Sequence, residues 1–299
     1  TAAEEKSQPA DPAGGKKLFS NEPLMVGALQ DYDIDLKLDA EDFTIHEGFS
    51  IHGNTAVTLD KGLLTIDPFN FSGTAGGSAN GVITLNARDA MARLDVFLDF
   101  NDFVLPKLGG LFNLDADLEA EGDSVAALMA SLDGSFVAQL NDAELVKTAL
   151  TKYGAGFLSN FNPLKMDRTI LECAIARFDI KDGMVEFEDK IAAQTTEVTW
   201  IGGGEINLKT EEIDMGMAPK ARKAISSLTN LDLASLVHVG GTLAEPAIGL
   251  DKMDVAQKYA QYSAYIATGG LSFLAKKAYD NRQSNKDHCK RILADLKEK

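Results

Sequence analysis

The stretch DYDIDLKLDAED (residues 31–42) alternates charged and apolar side chains. Tyr32, Ile34, Leu36 and Leu38 fall between Asp31, Asp33, Asp35, Lys37 and Asp39. Strict alternation sends the two sets to opposite faces of a β-strand. The acids also invite a calcium-loop reading, which fails on position. Such a loop needs glycine at its sixth place and a bidentate glutamate at its twelfth. Here those places hold Leu36 and Asp42. The acids are a solvated strand face, and the constraint on the fold becomes what covers the apolar one.

Period two continues from Asn21 to Leu140. Val57 and Leu59, Leu64 and Ile66, Phe69 and Phe71, Ile83 and Leu85, then Leu94, Val96, Leu98 and Phe100 repeat the pattern, and Phe112 to Leu118 closes this block. The breaks carry turn residues: HGN, DKG, GTAGG and ARDA. SVAALMASL (Ser124–Leu132) is the exception, a short helix opening after Asp123 as N-cap and ending at Asp133-Gly134. A second block starts with the strand Phe136, Ala138, Leu140. Helical spacing is expected over Glu144–Phe161 and over Ala221–Leu228, with strands from Leu171 to about Leu250. From Asp251 the pattern turns helical, with a break at Gly269-Gly270 and a final polar helix over Lys286–Lys297.

Two stretches echo two others in order. GLLTI at Gly62 parallels GMVEF at Gly183, an offset of 121 (183 − 62), and GVITL at Gly81 parallels GEINL at Gly204, an offset of 123 (204 − 81). This predicts an elongated β domain over 19–250 with related halves, about 19–133 and 134–250. Residues 1–18, rich in Ala, Glu, Pro, Gly and Lys, are expected to be a disordered linker. Residues 251–299 are expected to form a helical segment packing on the sheet.

Charge narrows the partners. With 45 acids against 29 bases in 299 residues, the formal net charge is -16. That argues against nucleic acid and against a general electrostatic grip on anionic membranes. No apolar run reaches the length of a membrane-spanning helix. The chain opens on Thr1 without methionine, as a mature or trimmed fragment would.

Chemistry has no foothold. The histidines of HEGFSIH (His46 and His52) are not one helical turn apart, as a zinc protease requires. GTAGGSANG and the GGG at Gly202–Gly204 fit turns and bulges rather than phosphate loops. No serine or cysteine stands in a nucleophile context, so the expectation is no catalytic residue, no metal and no cofactor. The apolar faces remain. Either the sheet folds onto itself as a sandwich, or it curves into an open trough whose dry lining meets apolar ligands or C-terminal helices. Periodicity leaves both open.

Six stretches, in order, resemble the C-terminal region of the AsmA family of bacterial envelope proteins. They are LFSNEPL, GSANGVITLNAR, LEAEGDSVAALMASLDGSF, ECAIARFDIKDGMVEF, GGGEINLKTEEIDMGMAPK and VGGTLAEPAIGLD. The resemblance implies a mainly β fold: a long curved antiparallel sheet, as an open trough or sandwich-like, with a few short helices and a helical C-terminal tail. It implies a periplasmic, non-enzymatic protein tethered to the inner membrane by an anchor outside this sequence, whose ligand is a phospholipid or other apolar lipid. The family is associated with outer-membrane homeostasis and related to bridge-like lipid-transfer proteins. Exposing a chain of about sixteen carbons to water costs on the order of 10 kcal/mol, at roughly 0.8 per methylene. A continuous apolar face avoids that cost without catalysis. The candidate lipid-binding residues are Ile34, Leu36, Leu38, Leu64, Ile66, Leu94, Val96 and Leu98. The alternative is a structural or interaction domain assisting outer-membrane protein assembly with a self-filled core. The resemblance also implies a disulfide between Cys173 and Cys289, the two cysteines of the chain.

Overall fold

A computed structural model describes residues 17–46, 49–105, 109–146, 168–196, 198–222, 237–249 and 288–297. Alternation produces a single antiparallel sheet of 13 strands in strict sequence order. The strands are β1 (Ile34–His46), β2 (Phe49–Asp60), β3 (Leu63–Gly73), β4 (Ser78–Asn86), β5 (Ala92–Val104), β6 (Leu111–Gly122), β7 (Asp133–Val146), β8 (Arg168–Lys181), β9 (Met184–Thr195), β10 (Val198–Asn207), β11 (Glu212–Ala221), β12 (Val237–Gly241) and β13 (Pro246–Gly249). Twelve inter-strand spacings of about 4.8 Å make it about 58 Å long in the stacking direction. The sheet is open, and among the described residues no second sheet stacks on it as a sandwich would require.

Three helices accompany the sheet among the described residues: α1 (Val26–Gln30), α2 (Val125–Ala130) and α3 (His288–Lys297). α2 is capped by Ser124, whose Oγ accepts the Ala127 N–H, rather than by Asp123. The expected helix over Glu144–Phe161 is corrected at its start. Glu144–Val146 extend β7, because their backbone pairs with Arg168–Ile170 of β8; the rest lies outside the described residues. Ala221 likewise ends β11, with the remainder of that expected helix outside them. So are the linker as far as residue 16 and the helical pattern from 251 to 287.

Register carries one apolar face through the first six strands. Leu36 pairs with Val57, Val57 with Ile66, Ile66 with Ile83, Ile83 with Val96 and Val96 with Leu118. A one-residue slip would turn the face over. Three bulges keep it continuous where the sequence period breaks. They lie between Ala40 and Phe43, Ile66 and Phe69, and Phe100 and Phe103. Each inserts one residue, returns a phenylalanine to the dry face, and bends the strand. The GGG of β10 meets another irregularity: Gly204 has φ +158°, and a Cβ there would stand 2.2 Å from the Asp214 carbonyl oxygen.

Residues 18–33 run back across the hairpin turns along one rim. The Leu18 and Phe19 N–H groups donate to the buried Glu211 carboxylate at the β10–β11 turn. Leu24 N–H donates to the Asp123 carbonyl (2.6 Å), and Gly62 N–H to the Leu29 carbonyl (3.1 Å). Gln30 Nε2 donates to the Ala87 carbonyl (2.9 Å), and Lys61 N–H to Asp33 Oδ1 (3.3 Å). The turns are also tied to one another, Ala87 N–H to Gly62 O and Leu208 N–H to Gly183 O. Gly62 and Gly183, from the echoed stretches, occupy matching turns before β3 and β9.

Candidate functional site

All eight predicted lining residues lie on the one dry face: Ile34, Leu36 and Leu38 on β1, Leu64 and Ile66 on β3, and Leu94, Val96 and Leu98 on β5. They form three rows across the strands. Leu64, Leu85 and Leu94 make the row at the strapped rim. Ile66, Ile83 and Val96 make the next, and Phe69, Gly81 and Leu98 the third. Exposure varies along the sheet. Ile34, Leu36 and Leu38 keep 47%, 45% and 50% of their surface, whereas the lining of β3 to β5 is half-buried. On β10 to β12, Trp200, Met217 and Val239 are buried on the dry face, and Thr199, Ile201, Asp214 and His238 on the other. The open part of the face is therefore β1 to β6.

The sequence reasoning missed the aromatic half of the lining. Phe69, Phe71, Phe100, Phe103 and Phe112 share the face and touch edge-on or tilted, with ring centroids 5.0 to 6.4 Å apart. The signal was present three times, in AEDF, IDPF and FNDF: apolar, two non-apolar-face residues, then phenylalanine. Each is a bulge written in sequence.

At the strapped rim the face is walled. Leu128 and Leu132, around α2, pack with Leu24 of the strap against Leu94, Leu118 and Ile180. The far rim carries hydroxyls where β1, β2 and the β3–β4 hairpin meet. Thr44 and Ser50 are hydrogen-bonded through their hydroxyls (3.0 Å), and Thr74 Oγ1 donates to the Ser50 carbonyl (3.0 Å).

The wet face is acidic. A concavity of about 390 Å³ on it is lined by Asp95, Asp117, Glu119 and Asp133 with Phe97 among them. Arg93 pairs with Glu119 (3.0 Å) and Lys181 with Asp133 (3.2 Å). The Asp182 N–H and then Lys181 hold the Asp133 carboxyl below its usual value, and Asp133 raises Lys181 in return. Farther along, Glu205 sits between Glu186 and Asp214 in register. Burial first, then Asp214, Glu186 and Glu212, push its carboxyl up. No group of side chains able to hold a metal ion occurs among the described residues.

Cys173 and Cys289 are bonded, with Cα atoms 6.6 Å apart. The bond fixes α3 to the wet face, not to the dry one: Cys289 and Ile292 pack on Val137, Ile175 and Ala192. Arg291 reaches Asp189 at 3.7 Å. No helix among the described residues is long and apolar enough to cross a membrane.

Comparison with known proteins gives a consistent relationship. A model of the AsmA family matches residues 1–189. The AsmA family protein YhjG of Escherichia coli (strain K12) is 26% identical over 264 residues, covering 82% of this chain and 36% of that protein. The chain thus spans little more than a third of that relative's length. No solved structure matches it.

Proposed function

The chain belongs to the AsmA family, which ties it to envelope and lipid homeostasis; from that premise we propose that it is a non-enzymatic lipid-binding or lipid-transfer module of the periplasm. Its dry face shields acyl chains, and an anchor outside this sequence tethers it to the inner membrane. The observation that carries this reading is the unbroken apolar register from β1 to β6 on an open sheet, with Leu36 still 45% exposed. A face serving only as core would be covered along its whole length. An acyl chain laid on it replaces water around both partners at roughly 25 cal/mol per Å² of apolar surface. The two-sided burial of β10 to β12 supports the other reading, a self-filled interaction domain, for that part of the sheet.

Native mass spectrometry of the purified protein, together with uptake of a fluorescent phospholipid, tests the proposal. Bound lipid and saturable uptake are expected. Leu36→Asp and Val96→Asp separate the two readings. On an open face the added charge stays wetted, the fold persists and lipid uptake falls. In a filled core an unpaired charge costs several kcal/mol and the domain unfolds. Absence of bound lipid together with no uptake would sink the lipid reading.

A further inference from the structure

We infer that lipid on the dry face has a fixed orientation, with chain ends toward the strapped rim and the polar head toward the opposite, exposed rim. The inference rests on the lipid reading above and adds a direction to it.

Side-chain chemistry is graded across the strands. The two rows at the strapped rim are aliphatic, as in Leu85 with Leu94 and Ile83 with Val96. Phenylalanines of β3, β5 and β6 enter only from the third row outward, at Phe69, then Phe71 and Phe100, then Phe103 and Phe112. From Leu94 to Leu98 the chain advances four residues, about 13 Å at ~3.3 Å each. That is close to the ~15 Å that one leaflet contributes to a hydrocarbon core of ~30 Å. An acyl chain starting at the strapped rim thus reaches its ester end where the aromatic rows begin.

The two rims then differ in what they offer a head group. At the strapped rim, Leu24, Leu128 and Leu132 close over Leu94 and Leu118, and the neighbouring turns are joined by backbone hydrogen bonds. A phosphate placed there would be desolvated against leucines, a penalty that no added hydrogen bond offsets. At the other rim, Thr44 and Thr74 are exposed and Ser50 is half-buried, with Thr44 and Ser50 on the wet side of the register. No apolar cluster closes over the face there among the described residues, so a head group at this rim keeps its water. Both ends of the face therefore impose the same polarity.

Tryptophan emission reads the orientation. Leu85→Trp reports the aliphatic rows and Phe71→Trp the aromatic ones, each in a Trp200→Phe background; Trp200 is the chain's single tryptophan. The probes are phosphatidylcholine vesicles doped with lipid carrying a nitroxide beside the ester carbonyl or near the chain terminus. The terminal nitroxide is expected to quench Leu85→Trp more strongly, and the carbonyl-level nitroxide to quench Phe71→Trp more strongly. Equal quenching at both depths, or the reverse order, overturns the orientation while leaving lipid binding intact. No quenching by either probe at either site overturns both. Ile83→Trp and Phe100→Trp repeat the comparison with Trp200 retained and its signal subtracted, so that a folding defect in one variant does not decide the result.

Discussion

Reducing the Cys173–Cys289 bond should release α3 and lower global stability by a calculable amount. The cysteines are separated by 116 residues. In the chain-entropy account, opening a loop of that size returns about 16 cal/mol/K to the unfolded chain, about 4.8 kcal/mol at 25 °C. With an unfolding entropy of roughly 2.1 cal/mol/K per residue over about 300 residues, the midpoint should fall by about 8 °C. α3 should also leave before the sheet melts. Its ordering costs about 1–2 kcal/mol per residue in backbone entropy alone, while burying Ile292 contributes only about 1.5–3 kcal/mol. The assay is a thermal melt with and without reductant, with Cys173→Ala as the reductant-insensitive control, and hydrogen exchange over residues 288–297. Thiol counting on the unreduced, denatured protein fixes the starting state. Two reactive thiols there would refute the bond. An unchanged midpoint after verified reduction would refute the energetic argument.

Other parts of the sheet give independent tests. Glu205 has its carboxyl pushed up by burial and by neighbouring acids, so the folded state holds that proton more tightly than the unfolded one, and stability falls as pH rises through the carboxylate range. Glu205→Gln should therefore raise the melting midpoint at neutral pH, with the gain vanishing below about pH 4, where the carboxyl is protonated in either state. Glu211→Ala should leave the Leu18 and Phe19 N–H groups without their carboxylate, a loss of roughly 1.5–3 kcal/mol per charge-assisted bond at most; faster hydrogen exchange over residues 18–24 is the readout, and unchanged exchange would show that the strap does not depend on this contact. Gly204→Ala forces a Cβ to 2.2 Å from the Asp214 carbonyl oxygen at φ +158°, and a urea midpoint equal to the parent's would contradict the close approach. Ile201, fully buried on β10, should not tolerate aspartate, whereas Leu36 should; equal melting points for the two variants would contradict the exposure gradient along the sheet.

Legibility followed the physics of each part. Alternation in β1 to β6 has a local cause, one wet face and one dry, so the strands and the residues of the dry face were readable from spacing alone. Bulges were not, because one inserted residue reads as noise unless the returning phenylalanine is noticed three times. β7 failed at its end because LVKTALTKYGAGFL has helical spacing, while pairing with Arg168–Ile170 overrides it for the first residues. The docking side of α3 was hidden for a different reason. In LECAIARFDI both parities are apolar, Cys173 and Ile175 on one face, Ala174 and Ala176 on the other. Such a run marks a strand covered on both faces, but it does not say by what. The strap left no periodic trace at all, since its hold is backbone hydrogen bonding to distant turns.

An open dry face exposed to water is an aggregation hazard, and β1 shows how the chain limits it. Among the described residues β1 has a neighbour on one side only, and its Ile34, Leu36, Leu38 and Phe43 stay exposed. Its wet positions hold Asp35, Lys37 and Asp39, with Asp33 just ahead of it and Glu41 and Asp42 in the bulge. Antiparallel pairing of two such edges centred on Lys37 would set Asp35 against Asp39 and Lys37 against Lys37, like charge against like, which opposes strand-to-strand growth, and the net charge of -16 opposes it at longer range. These devices guard the edge and the wet side. They do nothing to cover the apolar side chains themselves. Selection against self-association while leaving Leu36 and its row uncovered is coherent if the intended cover is small, apolar and exchangeable. An acyl chain has those properties, whereas a permanent protein partner would have made the acidic edge unnecessary.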